Sequence, residues 1–319
     1  MGPFHEGELE VQRRAGVAAG AARVGRIIRS TIPEVARGFA AERSFAILGA
    51  ADPDGRVWAS LLRGEPGFLT VPADDRLRLN ASLPPGDPLA AALAVEADLG
   101  VLLIDPPTRR RMRLNGRSRP LASGLELATR EVYSNCPKYI HPRETSLARG
   151  ADAAGGTVER ASALTPLQAA RLAAADTLFL ASTHPSAGAD VSHRGGDPGF
   201  ARVAAPDRLL IPDYAGNTMF NTLGNLVADP RAGVLVWDFE TGDTLQLTGR
   251  AAIVWHSDSL RSFPGAQRLV EFAIDAVVER VGIARAADRP AAVTARNRYG
   301  AAVRITKRRY CFVPCSSTW

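Results

Sequence analysis

Short apolar runs bounded by Gly, Pro and Asp recur along this chain and predict β-strands. One run covers residues 44–50 (Ser-Phe-Ala-Ile-Leu-Gly-Ala), and a similar run covers residues 176–182 (Asp-Thr-Leu-Phe-Leu-Ala-Ser). After each run, a turn containing Pro is followed by further short strands. Each half contains about six short strands and one helical stretch, with a density of turn signals that favours a small antiparallel barrel.

The strand pattern occurs twice because the sequence itself is repeated. Residues 60–68 and residues 192–200 share the pattern Ser-x3-Gly-acid-Pro-Gly-Phe at a spacing of 132. Further on the spacing is 133, and residues 114–117 match residues 247–250 as Leu-x-Gly-Arg. A repeat this long indicates a duplicated domain rather than a solenoid. We therefore expect a covalently joined pseudo-dimer, with a site where the two copies meet.

Helices are predicted outside the strands. Thr165 is a predicted N-cap because Pro166 follows it at the first helical position. Helical structure is also predicted at residues 87–93, at Glu126–Val132 and at residues 218–226, and residues 267–281 form an amphipathic segment. The resulting boundaries are an N-terminal helical segment at 1–43, a first repeat at 44–125, inter-repeat helices and a loop at 126–175, a second repeat at 176–284, and a C-terminal tail at 285–319.

The composition is that of a folded globular protein. Of the 319 residues, 46% are hydrophobic and 23% are charged, which argues against wholesale disorder. No apolar run of about 18 uncharged residues occurs, and the first residues lack a basic and apolar signal segment. Three scattered cysteines predict neither a disulfide framework nor a metal site. We expect a cytoplasmic protein with no membrane segment.

The formal net charge is +6, which favours an anionic partner. The densest basic run is Arg109-Arg110-Arg111-Met112-Arg113, directly after an Asp-Pro-Pro sequence. We interpret it as a solvated hairpin turn. Because no basic stretch carries the interleaved aromatic residues that stack on bases, nucleic acid is not an expected partner.

The polar chemistry is concentrated in the second repeat. His193 and Arg194 stand where the first repeat has Leu61 and Leu62. After the next strand, residues 212–221 read Pro-Asp-Tyr-Ala-Gly-Asn-Thr-Met-Phe-Asn, with no polar counterpart of this kind in the first repeat. Arginine and a helix N-terminus are suited to an anion. The alternative is that the first stretch is a surface turn and that the asparagines only cap a helix.

Residues 192–200 (Ser-His-Arg-Gly-Gly-Asp-Pro-Gly-Phe) and residues 216–225 (Gly-Asn-Thr-Met-Phe-Asn-Thr-Leu-Gly-Asn) carry a family resemblance. Over roughly residues 30–280 the chain resembles the pyridoxamine 5'-phosphate oxidase-like family of FMN-binding split barrels, in its tandem-repeat branch. The resemblance implies a mainly β fold with some α (α+β), in which two tandem split β-barrels form an intrachain pseudo-dimer.

The resemblance also implies a cofactor, FMN, and a set of residues around it. Most of them come from the strand of the second repeat before the Pro-Gly-Phe turn and from the strand–helix junction that follows. The strand before Gly249 supplies two weaker candidates, Thr244 and Gln246. In this sequence the set consists of Ser192, His193, Arg194, Gly195, Asp213, Tyr214, Gly216, Asn217, Asn221 and Thr244. Because the basic pairs that hold phosphate in the oxidase itself are not matched at 217–221, Arg194 and helix N–H groups are the expected phosphate ligands.

Residues 133–143, between the repeats, either line the pocket or form a structural loop that caps the barrel. Among function classes, the first hypothesis is an FMN-dependent oxidoreductase that acts on an unknown small molecule, with no catalytic residue assigned. A non-catalytic flavin- or haem-binding protein is the alternative, and a degenerate dimerisation module is a third reading. Homodimerisation of the whole chain stays open.

Overall fold

The computed structural model describes residues 2–143 and 157–281. The predicted tail at 285–319 and residues 144–156 of the predicted inter-repeat segment lie outside the described residues. Within them, the chain is mainly β and contains two antiparallel sheets and a few short helices. No described helix is long and apolar enough to cross a membrane.

Three helices occur in the first 43 residues, as the sequence predicts. They are α1 (Glu6–Arg14), α2 (Ala18–Val24) and α3 (Glu34–Ala41). Two further helices are α4 (Pro166–Ala174) and α5 (Asn221–Ala228). The predicted cap of α4 is present, since Thr165 Oγ accepts the Gln168 N–H at 3.3 Å and Gln168 Oε1 accepts the Thr165 N–H at 2.9 Å. This reciprocal pair satisfies two N–H groups at the start of the helix.

Each repeat forms one sheet. The first consists of β1 (Phe45–Ala51), β2 (Val57–Arg63), β3 (Leu69–Ala73), β4 (Arg76–Leu79), β5 (Ala97–Asp105), β6 (Arg110–Pro120) and β7 (Leu125–Ser134). After β8 (Thr157–Ala161), the second consists of β9 (Thr177–His184), β10 (Gly188–Gly195), β11 (Arg202–Ala205), β12 (Arg208–Tyr214), β13 (Arg231–Trp237), β14 (Thr244–Val254) and β15 (Ala266–Val281).

The two sheets have the same strand order. The first runs β2-β1-β5-β6-β7-β4-β3 and the second runs β10-β9-β13-β14-β15-β12-β11, with β8 added beside β15. Even local conformation is repeated, because the turn glycines Gly67 and Gly199 have φ angles of 96° and 86°. Only glycine adopts such angles without strain.

Two predicted helices, one in the first repeat and one after it, are wrong. Glu126–Val132 lies in strand β7, which pairs with β4 and β6, so the first sheet continues to Ser134, beyond the predicted boundary at 125. Glu, Leu and Ala favour a helix locally, but pairing on both edges outweighs this weak preference. In the predicted helix at 87–93, only a short 3₁₀ turn, Ala92–Ala94, is present.

An apolar cluster lies between the two sheets. From the first sheet it includes Phe45, Ile47 and Leu102, and from the second it includes Phe179 and Leu235. All five side chains are buried. Since removing apolar area from water contributes about 25 cal/mol per Å², this cluster stabilises the contact between the repeats.

Helix α1 packs against the start of α5 at a close crossing of two glycines. A Cβ on Gly7 would lie 2.2 Å from the Gly224 carbonyl oxygen, and a Cβ on Gly224 would lie 2.6 Å from the Glu8 nitrogen. The close approach buries the Glu8 side chain, whose Oε1 accepts a hydrogen bond from Asn221 Nδ2 at 2.7 Å. The N-terminal segment is thereby attached to the second repeat.

Candidate functional site

A cavity of about 330 Å³ lies between the repeats, within the range that small-molecule sites occupy. Strand β6 and residues 135–139 supply one wall, and the end of β10 with the β12–α5 connection supplies the other. Residues Ala15 and Val17, after α1, contribute to the rim. The cavity is therefore built from both repeats and from the N-terminal segment.

Eight of the ten predicted site residues line this cavity. They are His193, Arg194, Gly195, Asp213, Tyr214, Gly216, Asn217 and Asn221. Of the other two, Ser192 is fully buried behind the wall, where its Oγ donates to the Leu180 carbonyl at 3.2 Å and lies 3.0 Å from Thr222 Oγ1. Its role in the described residues is to support the wall.

Thr244, with Gln246, lies outside the residues that line this cavity. It begins β14 and pairs with Arg280 of β15, and it does not line the cavity. At the repeat spacing of 133, Thr244 corresponds to Arg111 and Gln246 to Arg113, and both of these arginines face the cavity from β6. The equivalent strand of the first repeat, β6, therefore supplies this part of the cavity wall.

The prediction that the basic run is a solvated turn is therefore wrong for two of its residues. Arg109 and Arg110 are exposed, whereas Arg111 and Arg113 are partly buried in the cavity wall. Successive strand residues point to opposite faces, so residues two apart share the face directed at the second repeat. The available signal was the alignment of the two repeats, which equates both positions with a strand already suspected of facing the ligand.

Among the lining residues, five are cationic and one is a carboxylate. The cations are Arg111, Arg113, Lys138, Arg194 and Arg268, and the carboxylate is Asp213. Arg194 Nη1 donates to Asp213 Oδ1 at 2.5 Å, and Arg268 Nε lies 2.8 Å from Asp213 Oδ2 without the alignment of a hydrogen bond. Two arginines thus share one carboxylate, and the electrostatic field of the cavity favours an anion.

Arg113 and Arg111 differ in their partners. Arg113 Nη1 donates to both oxygens of Asp190 across the repeats, at 3.0 and 3.1 Å. Arg111 has no carboxylate within ion-pair distance in residues 2–143 and 157–281, and its buried Nε has no hydrogen-bond partner there. Burial, followed by the charges of Arg113 and Arg194, lowers the pKa of Arg111 to about 9.

His193 is neutral. Its Nδ1 lies 2.9 Å from Arg111 Nη1, and because the guanidinium only donates, Nδ1 is the acceptor and Nε2 carries the proton. Burial, followed by the charges of Arg111 and Arg194, lowers the pKa of His193 well below its ordinary value. An imidazole in this setting accepts or relays a hydrogen bond and does not add to the positive charge.

The segment after β7 both lines and closes the cavity. Tyr139 stacks on Tyr214 with ring centroids 5.2 Å apart, and its hydroxyl donates to the Ala215 carbonyl at 3.1 Å. Farther along, His141 Nε2 lies 2.9 Å from the Gly196 carbonyl and Arg143 pairs with Asp176 at 2.5 Å, so both fasten the segment to the second repeat. The two roles expected for residues 133–143 are therefore divided along it.

The two repeats also define a second point of the fold that is equivalent to the cavity, and side chains of this protein occupy it. There Gln246 Nε2 donates to the Ala59 carbonyl at 3.0 Å and to Ser60 Oγ at 2.9 Å, and it lies 3.3 Å from Asp87 Oδ2. Leu61 and Leu62, both buried, replace the His-Arg pair. A neutral amide and two leucines provide no positive charge, so the two copies differ in chemistry at equivalent points of the fold.

Residues 164–296 match a family model described as pyridoxamine 5'-phosphate oxidase. Over this span, which is less than half of the chain, the sequence is similar to the pyridoxamine 5'-phosphate oxidase family. The matched span includes β10, β12 and the start of α5, which form the second repeat's wall of the cavity. No curated protein matches the chain.

Several solved structures are similar to portions of this chain. A putative pyridoxamine 5'-phosphate oxidase from Lactobacillus delbrueckii is 17% identical, with 37% of this chain and 94% of that chain covered and a TM-score of 0.31. An FMN-binding protein from Syntrophomonas wolfei is 11% identical, with 34% and 80% covered and a TM-score of 0.27. A FAD-binding protein from Mesorhizobium loti is 12% identical, with 39% and 98% covered and a TM-score of 0.26.

Proposed function

We propose that the chain consists of two tandem split barrels joined as an intrachain pseudo-dimer and that it binds FMN in the cavity between them. On this proposal it is an FMN-dependent oxidoreductase that acts on a small molecule. The observation that carries the proposal is the convergence of eight residues, selected by family resemblance, on one cavity with a cationic lining. The identical strand order of the two sheets supports the pseudo-dimer.

The residues present fit a flavin phosphate. Helix α5 begins at the cavity, where Asn221 is its first residue and the preceding Asn217 also lines the wall. The first N–H groups of a helix lack partners within the helix and favour an anion. Arg194, whose buried Nε has no partner among the described residues, would add a charged donor. The phosphate is therefore assigned to the second repeat's wall.

The stacked rings of Tyr139 and Tyr214, on the other side of the β12–α5 connection, would offer an aromatic surface to a planar ring. When bound, the flavin supplies the hydride or electron chemistry. The chain's own residues orient it, surround it with positive charge and narrow its access to water. His193, held neutral, would contribute a hydrogen bond through its Nε2–H.

A visible spectrum of the purified protein, followed by titration with FMN, tests the proposal. Flavin absorbance, or saturable FMN binding to protein purified without it, is expected. A Soret band would replace flavin by haem, and the absence of any chromophore after titration would refute the cofactor assignment. Bleaching by NAD(P)H under anaerobic conditions separates the oxidoreductase from a non-catalytic flavin carrier, which would be bleached by dithionite alone.

Cys136 is a free, half-buried thiol at the cavity. Free thiols are typical of a reducing compartment, and on this ground a cytoplasmic location is part of the proposal. Fractionation of the native cells tests it, since recovery with the periplasmic or membrane fraction would contradict it.

A further inference from the structure

Arg111 is a partly buried cation of the cavity wall that no carboxylate of the described residues neutralises. Arg113, Arg194 and Arg268 each lie against a carboxylate, whereas the contacts of Arg111 within residues 2–143 and 157–281 are with neutral acceptors. Its Nη1 contacts His193 Nδ1 at 2.9 Å, and its Nη2 donates to the Cys136 carbonyl at 2.7 Å. Because a guanidinium carries five N–H donors, most of the donors of Arg111 remain available.

The side chain beside it is also unsatisfied. Both polar atoms of the Asn135 amide are buried in the same cavity wall, and neither has a hydrogen-bond partner among the described residues. The Asn135 N–H donates to the Arg111 carbonyl at 3.2 Å, which places the two residues side by side. Leaving such groups unpaired is costly, and each normally has a partner in the protein, in water or in a ligand.

Strand packing does not require an arginine at this position. The equivalent residue of the second repeat is Thr244, which occupies the same place at the start of its strand. Burial of an uncompensated charge is unfavourable in itself, as the lowered pKa of Arg111 reflects. A charge retained at such a point is best explained by a ligand of opposite sign.

We propose that Arg111 and Asn135 form a recess for an oxyanion, a phosphate monoester or a carboxylate, on the first repeat's wall of the cavity. The inference rests on the proposed function for its location beside a flavin, but the recess is defined by its own residues. The oxyanion belongs either to the flavin or to a separate substrate. If the flavin phosphate lies at α5 on the opposite wall, the recess receives the anionic group of the second reactant.

The test compares Arg111→Met, which removes the charge and keeps a long apolar stem, with Arg110→Met at the exposed neighbouring position. Dissociation constants are measured for FMN, for riboflavin, which lacks the phosphate, and for inorganic phosphate with and without flavin. Circular dichroism confirms that each variant is folded. If Arg111→Met does not fold, Asn135→Ala tests the same recess without removing a charge.

If the flavin phosphate occupies the recess, Arg111→Met weakens FMN binding by about ten-fold or more, the loss expected for a charged hydrogen bond, and leaves riboflavin binding unchanged. If a separate oxyanion occupies it, both flavins bind as before, and the flavin-loaded protein loses inorganic phosphate binding to a similar extent. Arg110→Met changes neither quantity in either case.

The inference is overturned if Arg111→Met and Arg110→Met agree both in the FMN-to-riboflavin ratio and in phosphate affinity. Failure of the proposed function gives a different result, because the wild-type protein would then bind neither flavin. In that event, phosphate titration of the flavin-free protein still decides the recess by the same pair of variants.

Discussion

The ion pair between Arg113 and Asp190 joins the two repeats beside the cavity and is the most buried charge pair that crosses between them. The side chains are 11% and 3% exposed. Asp190 also receives hydrogen bonds from Asn115 Nδ2 at 3.2 Å and from the Tyr133 hydroxyl at 3.4 Å. Both of these donors belong to the first repeat, and Thr222 Oγ1 of the second repeat donates to Asp190 Oδ2 at 3.3 Å, so neutral donors from both copies hold Asp190.

Replacing Arg113 by Met leaves the buried Asp190 carboxylate without a counter-charge. Breaking a buried pair from one side destabilises a protein by about 3–5 kcal/mol. The neutral donors Asn115, Tyr133 and Thr222 remain, so the loss is expected near the lower limit, about 3 kcal/mol. Urea unfolding followed by circular dichroism measures the free energy of unfolding of both proteins.

The matched control is Arg78→Met, which breaks a pair within one sheet. Arg78 is 45% exposed and lies 2.7 Å from Glu126. Solvent screens such a pair, and its removal is expected to reduce stability by less than about 1 kcal/mol. Arg113→Met/Asp190→Asn should be more stable than the sum of its two single changes implies. The reasoning is refuted if Arg113→Met is no more damaging than Arg78→Met.

Three further predictions concern the site and the N-terminal helix. Arg194→Ala should weaken FMN binding by about 1.5–3 kcal/mol, and an unchanged dissociation constant would remove Arg194 from the site. Gly224→Ala should detach α1, because the new Cβ would lie 2.6 Å from the Glu8 nitrogen. Limited proteolysis should then cut the N-terminal segment of this variant. The control is Gly38→Ala, whose Cβ would have no atom within 4 Å and which should leave the segment resistant. Burial raises the pKa of Glu8 from 4.5 to about 8. Between these pH values the folded state keeps a proton that the unfolded state has lost. The free energy of unfolding therefore falls as pH rises, by up to about 1.4 kcal/mol per pH unit. Unfolding should be measured from about pH 7.5 upward, because His5, whose pKa burial lowers to about 4 in the folded state, is then largely neutral in the unfolded state as well. A wild-type slope equal to that of Glu8→Gln would contradict the assignment.

Much of the fold was predictable wherever the two repeats remain in step. Turn residues such as Gly67 and Gly199 are alike in sequence and in backbone angle. The prediction failed at β7, where the repeat spacing changes. Gly116 pairs with Thr129 in the first sheet, and Gly249 pairs with Ile274 in the second. The spacing is therefore 133 from Gly116 to Gly249 but 145 from Thr129 to Ile274. The longer β14–β15 connection hid the correspondence, and local helix preference then decided the interpretation.

The candidate site divides in the same way. By itself, the sequence determined that there are two copies of one pattern, that the second copy carries the polar residues, and that these lie at a strand end and a helix start, because such properties depend on neighbours along the chain. Tertiary structure decided which strand of the first repeat faces them, that Arg111 and Arg113 are wall residues rather than solvated ones, and that Glu8 reaches Asn221. These relations depend on how two sheets pack across an interface, where charge, burial and distance are set by residues far apart in sequence.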